Sequence, residues 1–378
     1  MTAPVPFGLR ATWWPVGFDL GFEERDAALW ADHHWYESAP LPGADRPRPE
    51  TVVRIVTSTN PERVARVRAA ARTGPARPVA AYGRAEYFLQ LAPTGLERGP
   101  TGDHHTRVLL ANSPAERGHY VLAQDASGGW EVVLDGHGTA TPPDKRLAAE
   151  IMRGRLAHHG GVELHAAAVG LPGDRAVALV GGSGAGKTTA ALVLGSRGRL
   201  FSGDRITVLE ADRAIRLAAY PDAVRLGFGA VRALGAEQRL LAHPLLRPQD
   251  FRTPGGEIER EAWQPGSRRK ISLTRREVDE VLGVRVGSTG RLTDLIVLRR
   301  DPAAVDPRPV PVPASEVLAE VAAQRMNLRA EYAPWLVGAA TGQDSGALRR
   351  FLERLRIWRL DWVPSVDGAR ALGRALLD

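Results

Sequence analysis

Gly181-Gly182-Ser183-Gly184-Ala185-Gly186-Lys187-Thr188 decides how this chain is read. The stretch fits G-x-x-x-x-G-K-[ST] at every fixed position, and its surroundings agree with it. The apolar run Ala176-Val177-Ala178-Leu179-Val180 before it reads as a buried strand, and Thr189-Ala190-Ala191-Leu192-Val193-Leu194 after it reads as a helix. A loop that turns sharply and brings its own N–H groups against phosphate oxygens needs glycines, because side chains would block the approach. The helix that follows aims its first N–H groups and its dipole at the same anion. On this reading Gly182, Ser183, Gly184, Ala185, Gly186, Lys187, Thr188 and Thr189 cradle a nucleoside triphosphate. Lys187 reaches the β- and γ-phosphates, and the Thr188 hydroxyl holds Mg²⁺.

The rest of the sequence bounds what surrounds that loop. The chain has 378 residues, enough for two domains with cores of their own. Apolar residues make up 44% and charged residues 25%, an ordinary balance for a globular protein. There is no Cys, which excludes disulfides, thiolate metal sites and Cys nucleophiles. No apolar run reaches membrane-spanning length, and Met1-Thr2-Ala3-Pro4-Val5-Pro6 lacks a signal-peptide pattern, so the expectation is a cytoplasmic protein with no membrane partner. The net charge of +7 is carried by dispersed arginines; Arg268-Arg269-Lys270 and Arg275-Arg276 are short, and no basic–aromatic interleaving accompanies them. A solvated Arg-rich surface explains this charge better than a nucleic-acid partner. Lysine is scarce: only Lys145, Lys187 and Lys270 occur. Against that bias a Lys marks a place where a compact ammonium is wanted, which makes Lys270 a candidate site residue beside Lys187. Lys145 sits at a polar helix start and reads as surface.

Two regions of different character follow. Residues 1–142 read as a β-rich α+β domain, and residues 143–378 as a mixed α/β domain built on the loop. In the first, strands are expected at Thr51–Thr57, Glu86–Leu91 and Arg107–Ala111. A hairpin is expected from Tyr120–Gln124 to Trp130–Leu134, and a helix from Asn60 as N-cap with Pro61 at its first position. Pro40–Pro49 and Gly138–Pro143 read as loops. In the second, a helix is expected over Asp144–His158 and one strand over Val162–Val169. Strands follow at Leu200–Phe201, Ile206–Leu209, Lys270–Leu273 and Asp294–Leu298, with helices at Ala314–Gln324, Ala347–Arg356 and Asp367–Leu377. The His pairs Asp32-His33-His34, Asp103-His104-His105 and His158-His159 make poor joint metal ligands, since neighbours on a strand or helix diverge.

Leu164-His165 before the loop strand, the loop itself, and Ser202-Gly203-Asp204 after its helix stand in an order that resembles the catalytic domain of HPr kinase/phosphorylase and its diverged kinase relatives. Those share their fold with phosphoenolpyruvate carboxykinase. The resemblance covers roughly Leu156 to Leu298 and is strongest from Glu163 to Thr207. It implies a P-loop kinase domain that moves the γ-phosphate of ATP, with Mg²⁺, to a hydroxyl of a small molecule or peptide. The N-terminal domain would then recognise that acceptor. It assigns His165 to phosphate or acceptor contact and Asp204 to metal binding or proton acceptance. The family's Asp-Asp pair falls on Gly203-Asp204, so the first carboxylate is missing. Asp204 then either orients a metal-bound water or takes the acceptor proton. Two other readings remain: a switch or assembly NTPase that hydrolyses without transfer, and an ATP-using protein linked to nucleic acid. Family members can form rings, and the oligomeric state here is open.

Overall fold

A computed structural model of the chain describes residues 7–13, 16–22, 51–82, 86–91, 105–113, 118–135, 143–220, 223–244, 253, 257–264, 267–304, 308–326 and 346–377. The expected loops at Pro40–Pro49 and 138–142, and the His33-His34 and Asp103-His104 positions, lie outside these residues. The chain forms two compact units. One comprises Met1–His33, Arg46–Arg155 and Leu328–Thr341; the other comprises His34–Asp45, Leu156–Asn327 and Gly342–Asp378. The described residues of the two units form a mixed α/β structure with three sheets.

The first unit holds β1 (Phe7–Trp13), β2 (Val16–Phe22), β3 (Thr51–Thr59), α1 (Pro61–Thr73), β4 (Ala76–Tyr82), β5 (Glu86–Leu91), β6 (His105–Ser113), β7 (Gly118–Asp125) and β8 (Trp130–Leu134), followed by α2 (Pro143–His158), whose residues from Leu156 on belong to the second unit. Its strands form one sheet in the order β1-β2-β3-β8-β7-β6-β5-β4. The start of α1 is written locally: the Asn60 side chain accepts from the Arg63 N–H at 2.9 Å, and Pro61 occupies the first turn, where its missing N–H costs nothing. The helix buries Val64 and Val67 against Val108, Leu110, Val121 and Val133 of the sheet. The hairpin joining β7 and β8 pairs Gln124 with Trp130. Asp125 caps its turn by accepting from the Ser127 and Gly129 N–H groups at 2.9 and 2.8 Å.

The second unit holds β9 (Val162–Leu164), β10 (Ala166–Leu171), β11 (Arg175–Val180), α3 (Lys187–Gly195), β12 (Arg199–Ser202), β13 (Ile206–Ala211), β14 (Ala214–Ala219), β15 (Val224–Gly227), α4 (Phe228–Ala233) and α5 (Glu237–Ala242). It continues with β16 (Lys270–Leu273), α6 (Arg275–Leu282), β17 (Thr289–Arg300), β18 (Val310–Pro311), α7 (Ala314–Ala322), α8 (Ala347–Leu352), β19 (Arg356–Trp362) and α9 (Val366–Leu377). The large sheet runs β12-β10-β11-β17-β14-β13-β9, with β19 paired to β17 and β18 to β19. At its centre β11, β17 and β19 run parallel, with Val177 opposite Asp294 and Asp294 opposite Arg356. Ala176–Val180 of β11 and Leu295–Leu298 of β17 read as unbroken apolar runs because both faces are covered. Val177, Leu179, Ile296 and Leu298 face the core that includes Leu192, Leu194, Leu372 and Leu376 of α3 and α9. Ala178, Val180, Leu295 and Val297 face the opposite core, with Val317, Val321, Leu348 and Phe351 of α7 and α8. A separate two-stranded ribbon pairs β15 with β16.

The structure departs from two sequence expectations in this unit. The strand expected over Val162–Val169 is broken at His165. The His165 N–H donates to the Gln324 carbonyl at 2.8 Å and the Met326 N–H to the Glu163 carbonyl at 3.0 Å, so the segment after α7 takes the ladder positions there. β9 then pairs with β13, while β10 pairs with β11 and β12. The helix expected over Ala347–Arg356 ends at Leu352, and Arg356 opens strand β19, whose parallel pairing to β17 overrides the local helical pattern.

Candidate functional site

The loop leaves the C-terminal end of β11, one flank of the parallel trio, beside β17 at its middle. Two of its glycines are demanded by geometry. A Cβ at Gly181 would lie 2.4 Å from the Leu298 carbonyl oxygen, so only a bare Cα lets the loop leave the strand beside β17. Gly186, the N-cap of α3, has φ +87°, and a Cβ there would lie 2.7 Å from Cζ2 of Trp362. Gly182, Ser183 and Gly184 are exposed at the tip, whereas Ala185 is buried beneath them. The first N–H groups of α3 have no partner within the helix and open at this point.

Lys187 is buried and folds back over the loop. Its ammonium donates to the carbonyls of Gly181 at 2.6 Å and Gly182 at 3.2 Å. Burial pushes its proton affinity below that of an ordinary lysine; the Asp204 carboxylate opposes this shift and the Lys270 ammonium adds to it. The three side chains therefore share one electrostatic neighbourhood. Thr188, one residue on, donates its hydroxyl to the Gly203 carbonyl at 3.1 Å, tying the loop helix to the turn that carries Asp204.

That turn is fixed by Ser202, whose hydroxyl oxygen accepts from the N–H groups of Asp204 and Arg205 at 3.2 and 3.0 Å. Asp204 projects into solvent and meets His165, with Nε2 2.9 Å from Oδ1. The break in the strand at His165 is what frees this ring to reach across. Arg205 turns the other way. It lies 3.4 Å from the buried Glu163 and over the ring of Tyr220, whose hydroxyl is 2.6 Å from that of Thr207. Arg205 therefore braces the turn from behind, and Gly203 lines its front. A Cβ at Gly203 would meet only Thr188 Cγ2 and Val224 Cγ1, both at 3.5 Å, an ordinary contact.

The sequence-derived set is thus brought together. Lys187, Asp204 and Lys270 interact electrostatically, His165 is bonded to Asp204, and Thr188 is tethered to the same turn. Thr189 lies half-buried on α3, one residue beyond. Trp362, at the end of β19, has no counterpart in the sequence reading. Its indole is fully buried, and its N–H donates to the Ala185 carbonyl at 3.0 Å, which pins the loop from below. The apolar positions Ile357, Leu360 and Trp362 were the available signal for β19. Among the described residues no three His, Asp or Glu side chains gather into a metal-ion cluster, and no helix is long and apolar enough to cross a membrane.

No protein-family model matches the chain, and no curated protein matches it. Among solved structures, the Hpr(Ser) kinase/phosphatase from Coxiella burnetii is similar at 10% sequence identity and a TM-score of 0.25, over 57% of this chain and 97% of that one. A likeness of that size fixes neither fold nor chemistry.

Proposed function

We propose that this chain is an ATP-dependent kinase that phosphorylates a hydroxyl on a small molecule or peptide. The observation that carries the reading is the meeting of two features at the end of the central strands. One is a glycine-shaped loop backed by the buried Lys187; the other is a solvent-facing carboxylate, Asp204, held by His165. The loop and the start of α3 form an anion cradle, and Lys187 is desolvated, so a triphosphate gains more from it than from a surface lysine. The choice of ATP over other nucleotides rests on the sequence resemblance around Glu163–Thr207.

The residues also fit a Mg²⁺ ion. Such ions keep several waters and fill further positions with phosphate oxygens, so a cluster of three protein ligands is not required. The Thr188 hydroxyl would hold the ion, which would neutralise charge on the triphosphate, and Asp204 is left to take the acceptor proton. In the transfer itself the acceptor oxygen forms a bond to the γ-phosphorus. The bond from that phosphorus to the β–γ bridging oxygen breaks, ADP keeps the electron pair, and the acceptor proton passes to Asp204. His165 acts as a positioning residue, aiming the carboxylate through the Nε2–Oδ1 contact.

Single-turnover transfer by the Asp204→Asn variant tests this assignment. Loss of the proton acceptor should slow transfer by about 10²–10⁴-fold, while a nucleotide analogue still binds. His165→Ala should produce a smaller loss and a changed pH profile. Transfer by Asp204→Asn at the wild-type rate would refute the role given to the carboxylate.

A further inference from the structure

The ribbon of β15 and β16 starts beside the Asp204 turn, where Val224 flanks Gly203. Its antiparallel register places Val224 opposite Leu273 and Leu226 opposite Ile271, and all four side chains are buried. The alternate positions, Arg225 opposite Ser272 and Gly227 opposite Lys270, therefore share the other face, on which Arg225 and Lys270 are exposed. The two cations stand on a diagonal of that face, two residues apart in register. Neither has a carboxylate partner among the described residues, whereas the nearby Arg269 and Arg276 are paired to Glu259 and Glu280. Lys270 is felt by Lys187, so this face adjoins the phosphate loop.

Two like charges set close on one face of a ribbon repel each other. The arrangement makes sense when an anion lies between them. The triphosphate already has the loop amides and Lys187. We propose that the exposed face of the ribbon is a second anion subsite, in which Lys270 and Arg225 hold a carboxylate or phosphate group carried by the acceptor beside its hydroxyl. This inference rests on the kinase reading and narrows it to acceptors that are themselves anionic. A neutral sugar or amino alcohol would leave the two cations facing each other.

The test uses the full chain, first titrated with a non-hydrolysable ATP analogue and Mg²⁺ and then, once saturated, with inorganic phosphate or with acetate in a calorimeter. Phosphate, acetate or both should bind the nucleotide-loaded protein, the preference telling a phosphate-bearing acceptor from a carboxylate-bearing one. Arg225→Gln should leave the analogue's affinity within about twofold, and Lys270→Gln and Arg225→Gln should each weaken the anion binding at least about fivefold. Added salt should weaken it further. Both positions are exposed, so the variants should unfold at the wild-type temperature. The subsite is overturned, with the kinase reading intact, if the analogue binds but neither anion does, if either anion only displaces the analogue, or if the variants bind the anions as the wild type does. A wild-type chain that does not bind the analogue overturns the kinase reading and the subsite with it.

Discussion

Trp362 offers the sharpest test of how the loop is held. Trp362→Phe keeps an aromatic body in the site and removes the indole N–H that donates to the Ala185 carbonyl at 3.0 Å. Both groups are buried, so the carbonyl is left without its partner, at a cost of about 1–3 kcal/mol. The smaller ring also leaves space beneath Gly186, whose Cα packs on the indole, and such a void adds about 1 kcal/mol. The variant should therefore lose about 2–4 kcal/mol in equilibrium urea denaturation. Its loop, no longer pinned at Ala185, should also bind a Mg²⁺–nucleotide analogue about tenfold more weakly, equivalent to about 1.4 kcal/mol. Denaturation curves and a fluorescence titration with the analogue measure the two effects on one preparation. A stability loss below about 0.5 kcal/mol with unchanged nucleotide affinity would refute the claim that the indole N–H anchors the loop.

Gly186→Ala forces a side chain into a left-handed conformation, at about 1–2 kcal/mol, and into Trp362 and Pro364; nucleotide binding should fall below detection, as a titration will show. Gly203→Asp meets only ordinary contacts, so thermal denaturation should register a change within about 0.5 kcal/mol. It restores a second carboxylate beside Thr188, and the Mg²⁺ concentration for half-maximal nucleotide binding should drop about tenfold, a gain of about 1.4 kcal/mol. Asp294→Ala should cost about 1.5–3 kcal/mol near neutral pH, because it removes the buried acceptor of the Arg356 guanidinium at 2.8 Å and the Thr293 hydroxyl at 2.7 Å, while Arg356 itself remains open to water. Burial alone would raise its proton affinity, but the bonds from Thr293, Arg356 and Trp358, with the Arg356 charge, hold it below the ordinary value of 3.8. The stability it contributes is thus complete above about pH 5 and is lost as pH falls below 3.8, so wild-type and variant denaturation curves should converge there.

What the sequence disclosed was whatever is encoded locally. The cap of α1 needs only Asn60, Pro61 and the Arg63 amide, which are consecutive or nearly so. The β7–β8 hairpin needs only Asp125 and the glycines after it. The glycine-rich loop is legible because the backbone shape is demanded at Gly181 and Gly186, and composition alone pointed to Lys270. Long-range pairing hid the rest. No local pattern announces that His165 will surrender its amide to Gln324, 159 positions along, or that this break lets its ring reach Asp204. β19 was unread because its identity comes from lying parallel to β17, and Trp362 was missed with it. The ribbon of β15 and β16 joins segments separated by α4 and α5, so the shared face of Arg225 and Lys270 exists only once the register is set.

The measurement that bears most directly on the account is the fate of the γ-phosphate. The purified chain is given γ-labelled ATP and Mg²⁺, with and without an extract of the producing cell, beside the Lys187→Ala variant. The account predicts label in an organic phosphate ester, formed only in the presence of extract and only by the chain that retains Lys187. Label released solely as inorganic phosphate would contradict it and point to a hydrolysing switch, and an ester formed equally well by Lys187→Ala would remove the loop from the chemistry altogether.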